Sequence, residues 1–207
     1  RVLFSDVVNI VYVHDPLTDV QMDNIMGKDG AVEALERLKE QGVIHAIGLG
    51  VQNHRFLRRA IESGRFDAIL TPYDYTPIRA SARPVIELAA ERGLGVVNGS
   101  PYNAGLLAGL HPDVASARRT APSEADLERA RALWSWCEAR QVDIGAVAMQ
   151  FSLRNPHISV TLAGPRTAKE VEVNVHHASA ILPDGIFNEL DAFLNTLGPE
   201  PPGGEVE

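Results

Sequence analysis

Dense β-branched runs alternate along the chain with stretches whose apolar residues recur every three or four positions, the two periods that separate strands from helices. Residues 7–13 (VVNIVYV) form a run of the kind found in strands buried on both faces, and it ends at His14-Asp15-Pro16. A polar loop is expected over residues 17–29. Val32, Leu35 and Leu38 then share one helical face, Gly42 closes that helix, and a strand follows at 44–49. The pattern repeats as a helix over 54–63, a strand over 66–70, a helix over 81–92 ending at Gly93, and a strand over 94–97.

After Gly99 the sequence reads SPYNAGLLAG, then enters a polar linker, 111–122, with no apolar periodicity. Ser123, with Asp126 three residues on, opens a helix carrying Leu127, Ala130, Leu133 and Trp134. A second helix, 143–153, presents Ile144, Val147, Ala148 and Phe151 on one side and stops before Asn155-Pro156. Ile158, Val160 and Leu162 alternate as a strand should. The chain breaks at Gly164-Pro165, and Val171, Val175, Ala178 and Leu182 recur at helical spacing. Pro183 suits the first position of a last helix striped by Phe187, Leu190, Leu194 and Leu197. The tail 199–207, rich in Pro, Gly and Glu, is expected to be mobile.

Five strand–helix units in strict alternation imply a parallel sheet. The fold class expected is α/β, of the (β/α)8 TIM-barrel type, with about five C-terminal β/α units present as a partial barrel over residues 1–198. Five such strands leave two unpaired edges and an open apolar interior, so roughly three N-terminal units are expected to be missing.

The turn at 163–167 carries the first candidate chemistry. Thr167 followed by Glu170 is a capping box, and a helix N-terminus attracts anions. Arg166, directly before the cap, has a planar fork of donors suited to phosphate oxygens. The combination suggests a nucleotide phosphate; the plain alternative is an ordinary strand–helix turn with an exposed arginine.

Composition narrows the partners. A net charge of −8 with dispersed basic residues argues against nucleic acid or an anionic membrane. No apolar run is long enough to span a bilayer and no signal peptide is visible, although the chain begins at Arg1 rather than at a methionine. The lone Cys137 lies in a helical pattern as a small apolar group, which fits a reducing, cytoplasmic setting. No metal site is expected: His14, Asp15, Asp19 and Asp23 read as solvated loop groups, and His176 and His177 as exposed helix surface.

The segments VNIVYVHDP, GVIHAIGLG, VVNGSPYNAGLL and LAGPRTAKEVEVNV, in this order on these elements, resemble the aldo-keto reductase family over residues 7–197. Within it they are most similar to the branch of D-threo-aldose (L-fucose-type) dehydrogenases and pyridoxal dehydrogenase. The resemblance implies a barrel that binds NADP(H) across the C-terminal ends of its strands, without a GxGxxG fingerprint. It also implies hydride transfer between nicotinamide and the carbonyl or hydroxyl carbon of an aldose or other aldehyde or ketone, with a tyrosine as general acid or base.

Of the family's assisting lysine, aspartate and histidine, only the histidine has a counterpart here. That is His14, expected to donate a hydrogen bond that orients and polarises the carbonyl. The tyrosine, lysine and aspartate belong to the family's first three strands, so the 207-residue chain alone is not expected to be competent.

For the cofactor, the resemblance places Gly164, Pro165, Arg166, Thr167, Glu170 and Asn174 around the adenosine end. Ser100, Gly105 and Leu106 fall under the pyrophosphate and nicotinamide ribose, and Gln52 or Asn53 replaces the usual Ser-Asn pair at the carboxamide. The family's stacking aromatic falls at Gly99; Tyr102 substitutes for it or lines the substrate pocket with Tyr73. Asp74 and Tyr75 either face the barrel mouth with Tyr73 or pack on the next helix. Arg166 and Thr167 favour NADP(H), with NAD(H) possible, and the partner implied is a small carbonyl compound or sugar. The rival reading is a non-catalytic, aldo-keto-reductase-like dinucleotide-binding or regulatory subunit.

Overall fold

Alternation along five parallel strands sorts side chains onto two faces with different fates. In the computed structural model, which describes residues 7–117 and 122–204, the strands are β1 (Val8–His14), β2 (Ile44–Gly50), β3 (Ala68–Pro72), β4 (Gly95–Gly99) and β5 (Val160–Leu162). They lie in sequence order in one sheet, each parallel to the next. Ile47, Leu49, Ile69 and Val96 point to one face and are buried with Phe56, Leu57, Ile61 and Ile86 from α3 (His54–Ser63) and α4 (Arg83–Glu91). The opposite face, the one a closed barrel turns inward, is thinner. Tyr12 lies across Gly48, Leu70 and Val97 are half-buried, and Val160 and Leu162 are each 50% exposed.

The register brings the strand ends level. His14 pairs with Gly50, Gly50 with Leu70, Pro72 with Gly99 and Gly99 with Leu162. All five C-terminal ends therefore meet at one rim, and the loops leaving them share one side of the sheet. The partial barrel expected from the alternation is the architecture found.

Other expectations shift. The polar loop before the first predicted helix contains α1 (Asp19–Met26), capped by the Thr18 hydroxyl, which accepts from the Gln21 N–H at 3.2 Å. Only Met22 of α1 is fully buried, so no apolar period was there to find. α2 (Ala31–Glu40) follows as predicted. The linker expected at 111–122 holds a short helix, α5 (Pro112–Ser116), with Pro112 at its start; residues 118–121 lie outside the described residues. α6 (Glu124–Arg140) and α7 (Ile144–Leu153) then lead to β5. Cys137 is buried in α6, and burial pushes its thiol up to about 12.

Beyond β5, α8 (Ala168–Ser179) turns a different face inward from the one its apolar stripe suggested. Val171 and Val175 are 47% and 62% exposed, while His177, expected on the surface, is 3% exposed. The last helix, α9 (Ile186–Leu194), starts after Gly185 rather than at Pro183, whose carbonyl accepts from the Ile186 N–H. Residues 199–204, expected to be loose, are pinned. The Glu200 carboxylate accepts from the Ala80 N–H (2.9 Å), the Pro202 carbonyl from Arg79 Nη1 (3.0 Å), and the Gly204 carbonyl from the His54 N–H (2.9 Å). A Cβ at Gly203 would overlap Ser81 Oγ, so the segment is fitted as well as bonded.

Gly145 in α7 shows packing overruling propensity. Alanine is ordinarily the better helix residue, but a Cβ here would overlap the buried His177 ring. Gly145→Ala should therefore destabilise the protein by about 1–3 kcal/mol in urea unfolding. A gain in stability would show that α8 has room to yield.

Candidate functional site

The loop after β4 and the turn after β5 leave the rim side by side and enclose a cleft of about 640 Å³. One wall is Ser100, Pro101, Tyr102, Ala104, Gly105, Ala108 and Leu110; the other runs from Ala163 through Thr167 to Lys169, Glu170, Val173 and Asn174. Tyr73, leaving β3, and Ala115 complete the lining.

The first wall is a tightly wound loop. Ser100, Asn103, Ala104 and Gly105 all have positive φ (57°, 47°, 52° and 91°), a conformation that costs non-glycine residues of order 1 kcal/mol or more each. It is held by hydrogen bonds from the Asn103 N–H to the Ser100 carbonyl (2.9 Å) and the Leu107 N–H to the Tyr102 carbonyl (3.0 Å), over the buried Leu106 and Leu107. The Ser100 N–H donates to the Leu162 carbonyl (3.1 Å), which ties the loop's origin to β5.

The second wall is built by the capping residues. The Thr167 hydroxyl accepts from the Glu170 N–H (3.2 Å), and the Glu170 carboxylate accepts from the Arg166 N–H (2.6 Å) and from Arg166 Nη2 (3.1 Å). A Cβ at Gly164 would meet nothing within 4 Å, so the turn is open toward the cleft.

A polar chain, buried at Tyr102 and His177 and reaching the surface at Asp143, links the walls. The Tyr102 hydroxyl lies 2.9 Å from His177 Nδ1, and His177 Nε2 lies 3.4 Å from Asp143 Oδ1. With the imidazole proton on Nε2 facing the carboxylate, Nδ1 accepts from the phenol. Asp143 also caps α7, accepting from the Gly145 N–H (2.6 Å) and the Ala146 N–H (3.2 Å). Its bond to His177 holds the Asp143 carboxyl down to about 2, whereas burial, then the Asp143 charge, raise the Tyr102 phenol.

The cleft thus gathers Tyr73, Ser100, Tyr102, Gly105, Gly164, Pro165, Arg166, Thr167, Glu170 and Asn174 from the sequence-derived candidates. Leu106 lies beneath the loop, buried, rather than in the lining. Gln52 and Asn53 also lie outside the lining. Gln52 Nε2 reaches Asp74 Oδ1 (3.4 Å), and Asn53 Oδ1 caps α3, accepting from the Arg55 N–H (3.0 Å) and the Phe56 N–H (3.3 Å). Asp74 and Tyr75 turn inward: Asp74 is fully buried beside His54 and Arg79, and Tyr75 packs on Phe151 with ring centroids 5.2 Å apart.

His14 stands exposed at the rim end of β1, its Nδ1 2.8 Å from the Asp15 carboxylate and its ring over Gly50. β2 and β3 separate it from the cleft. Asp19 and Asp23 are engaged by Arg55 and Arg59, and among the described residues no group of three or more His, Cys, Asp or Glu side chains is placed to hold a metal ion. Likewise, among those residues no helix is long and apolar enough to cross a membrane.

Lys169 and Val173 were not anticipated in the lining. Their signal was available, because 169, 170, 173, 174 and 177 fall on one helical face by i, i+3, i+4 spacing.

Residues 2–195 match a model of the Aldo/keto reductase family. Curated relatives include D-threo-aldose 1-dehydrogenase of Pseudomonas sp, 30% identical over 188 residues, with 89% of this chain and 56% of that protein covered. Pyridoxal 4-dehydrogenase of Microbacterium luteolum is 29% identical over 195 residues, covering 88% and 56%. L-galactose dehydrogenase of Arabidopsis thaliana is 28% identical over 200 residues, covering 93% and 60%. The chain therefore spans little more than half the length of the curated relatives it matches. Among solved structures, aldo-keto reductase AKR11C1 from Bacillus halodurans aligns in its apo form with a TM-score of 0.68 at 21% identity, covering 98% of this chain and 65% of that one. The holo form gives 0.70 at 18% identity, covering 98% and 61%. At such identities the likeness concerns the fold.

The Asp143 shift predicts an acid-side signature. A carboxyl whose folded pKa lies below its ordinary 3.8 stabilises the fold above that value and loses the contribution as pH falls toward about 2. Urea midpoints measured from neutral pH down to about pH 2 should show Asp143→Asn less stable than the parent at neutral pH, with the gap closing across the acid range. A gap that stays constant would remove the Asp143 carboxylate charge as its cause.

Proposed function

The chain belongs to the aldo/keto reductase family, and from that premise we propose that it forms the cofactor-binding portion of an NAD(P)(H)-dependent oxidoreductase. The substrate class proposed is an aldose or another small aldehyde or ketone and the corresponding alcohols. The observation that carries this reading is the cleft at the C-terminal rim, where barrel active sites lie.

The cleft fits a dinucleotide on its own terms. Its volume lies within the range of small-molecule and cofactor pockets, and Ser100, Ala104, Gly105, Ala163 and Gly164 let a ligand approach the backbone closely. Gly164, Pro165, Arg166, Thr167, Glu170 and Asn174 would hold the adenosine end, and Ser100 and Gly105 the pyrophosphate and nicotinamide ribose. Tyr73 would stand toward the substrate. Tyr102, its hydroxyl engaged by His177, would shape the wall.

A bound nicotinamide supplies or accepts the hydride. His14 would orient the substrate carbonyl through Nε2, since Nδ1 faces Asp15. Gln52 and Asn53 receive no cofactor role, because their amides serve Asp74 and the α3 cap. The general-acid tyrosine and its lysine and aspartate are assigned to strands preceding β1, on the family pattern alone.

Nicotinamide fluorescence tests the reading directly. NADH or NADPH should bind saturably, and Gly164→Leu should weaken binding about tenfold or more without lowering the urea midpoint, because its side chain enters open space. Absence of saturable binding by either dinucleotide would overturn the proposal. Binding without turnover by the full-length protein would favour a dinucleotide-binding subunit over an enzyme.

A further inference from the structure

Of the three residues that leave β3, two are locked into the interior and one faces the cleft. Asp74 is fully buried. Its Oδ1 lies 3.4 Å from both Gln52 Nε2 and Arg79 Nη1, its carbonyl accepts from the Ala82 N–H (2.9 Å), and Gly203 of the tail sits against it. Tyr75 is buried on Phe151; its hydroxyl accepts from Asn155 Nδ2 (2.7 Å) and its carbonyl from Asn98 Nδ2 (2.9 Å). Tyr73, held between β3 and these anchors, is 38% exposed in the cleft lining.

The backbone at Tyr73 is strained. The Asp74 N–H donates to the Pro72 carbonyl (2.9 Å), closing a three-residue turn in which Tyr73 has a φ of 67°, and the Tyr73 N–H donates to the Gly99 carbonyl (3.2 Å). Such a turn is rare, and a bulky residue in the left-handed region persists only where its surroundings over-determine it. Glycine or asparagine would adopt it at lower cost, so the turn itself calls for no aromatic. Side-chain bonding calls for none either: among the described residues the Tyr73 side chain has no hydrogen-bond, ring or cation partner.

An aromatic face open to a cofactor-sized cleft, on a backbone that cannot retreat, is a preorganised stacking surface. Gly99, to which Tyr73 is bonded, directly precedes Ser100. The ring therefore stands beside the loop assigned to the nicotinamide ribose, on the side nearer His14. Resting on the dinucleotide reading, we propose that Tyr73 is a ligand-contacting residue whose ring face stacks on a flat ring at the reacting end of the cleft. That ring is the nicotinamide or a ring of the substrate beside it. The recognition is the same for both, a contact between ring faces that survives loss of the phenol hydroxyl but not of the ring.

Calorimetric titration with NAD+, NADP+ and ADP-ribose separates the two sources without turnover, because ADP-ribose differs from NAD+ only in lacking the nicotinamide. If the nicotinamide is the partner, Tyr73→Ala should weaken the preferred dinucleotide about tenfold and leave ADP-ribose within about twofold of the parent. If a substrate ring is the partner, those affinities stay unchanged. Benzyl alcohol, which cannot react with a reduced dinucleotide, should then lose the ring-current NMR shifts it shows on the parent's NADH or NADPH complex. Tyr73→Phe should match the parent in both arms. Tyr73→Gly, which accepts this φ without strain, should repeat the alanine result and serves as the second variant if alanine weakens the fold.

Equal weakening of ADP-ribose and the dinucleotide would make the ring a structural prop, and a Tyr73→Ala variant indistinguishable from the parent in both arms would leave it without a ligand; either result overturns the assignment. Binding of neither ADP-ribose nor a dinucleotide to the parent is a separate failure, in which the dinucleotide reading falls and this assignment with it.

Discussion

The contact between Tyr102 and His177 is the tie on which the shape of the cleft depends. One residue belongs to the loop after β4, the other to α8, and these are the two walls. His177 is the one buried residue of α8; its ring fills the space left by the missing side chain of Gly145, and Asp143 faces its far nitrogen. Gln150 adds bonds to the carbonyls of His177 (2.9 Å) and Ala180 (2.8 Å) at the end of α8. Tyr102 and His177 are buried, and in such a low-dielectric setting their hydrogen bond is strong when satisfied and its loss costly. The position of Arg166, Thr167 and Glu170 is thus set from two to three turns away, by a histidine outside the lining that reaches the cleft through Tyr102.

The sequence made the strands legible because they are β-branched runs punctuated by Gly and Pro, and their alternation with helices left few topologies to consider. The corner at 164–170 was legible because capping chemistry is local, needing only Thr167, Glu170 and their spacing. Burial that depends on distant partners was not. The valines of α8 form an apolar stripe, yet α7 meets the face carrying His177, so the apolar period indicated the wrong side. α1 escaped notice because Met22 is its one fully buried anchor, while Asp19 and Asp23 are held by Arg55 and Arg59 of a helix more than thirty residues on. Asn53, directly before His54, caps α3 through Oδ1 by the same local chemistry.

The two faces of the sheet carry different physical duties. Parallel sheets are ordinarily covered on both sides, and the outer face here meets that rule with α3 and α4. The inner face keeps Gly48, Gly50, Gly95 and Gly99 beside Leu70, Val97 and Leu162. Glycines on that face let Tyr12 and His14 lie flat over neighbouring strands. The described sheet has the side-chain distribution of a barrel wall, with its helical cover complete and its interior row half open.

The Pro-Gly-rich terminus carries a practical lesson for anyone handling this protein. By composition it invites trimming or fusion to an affinity handle, as linkers do. Yet Gly203 sits against Ser81 and the buried Asp74, and Gly204 against the His54 ring, with no space for a methyl group at either. Shortening the chain before Pro202 would uncover a carboxylate lodged inside the molecule and take an acceptor from Arg79. What looks dispensable in letters is, in steric terms, among the least negotiable parts of the surface.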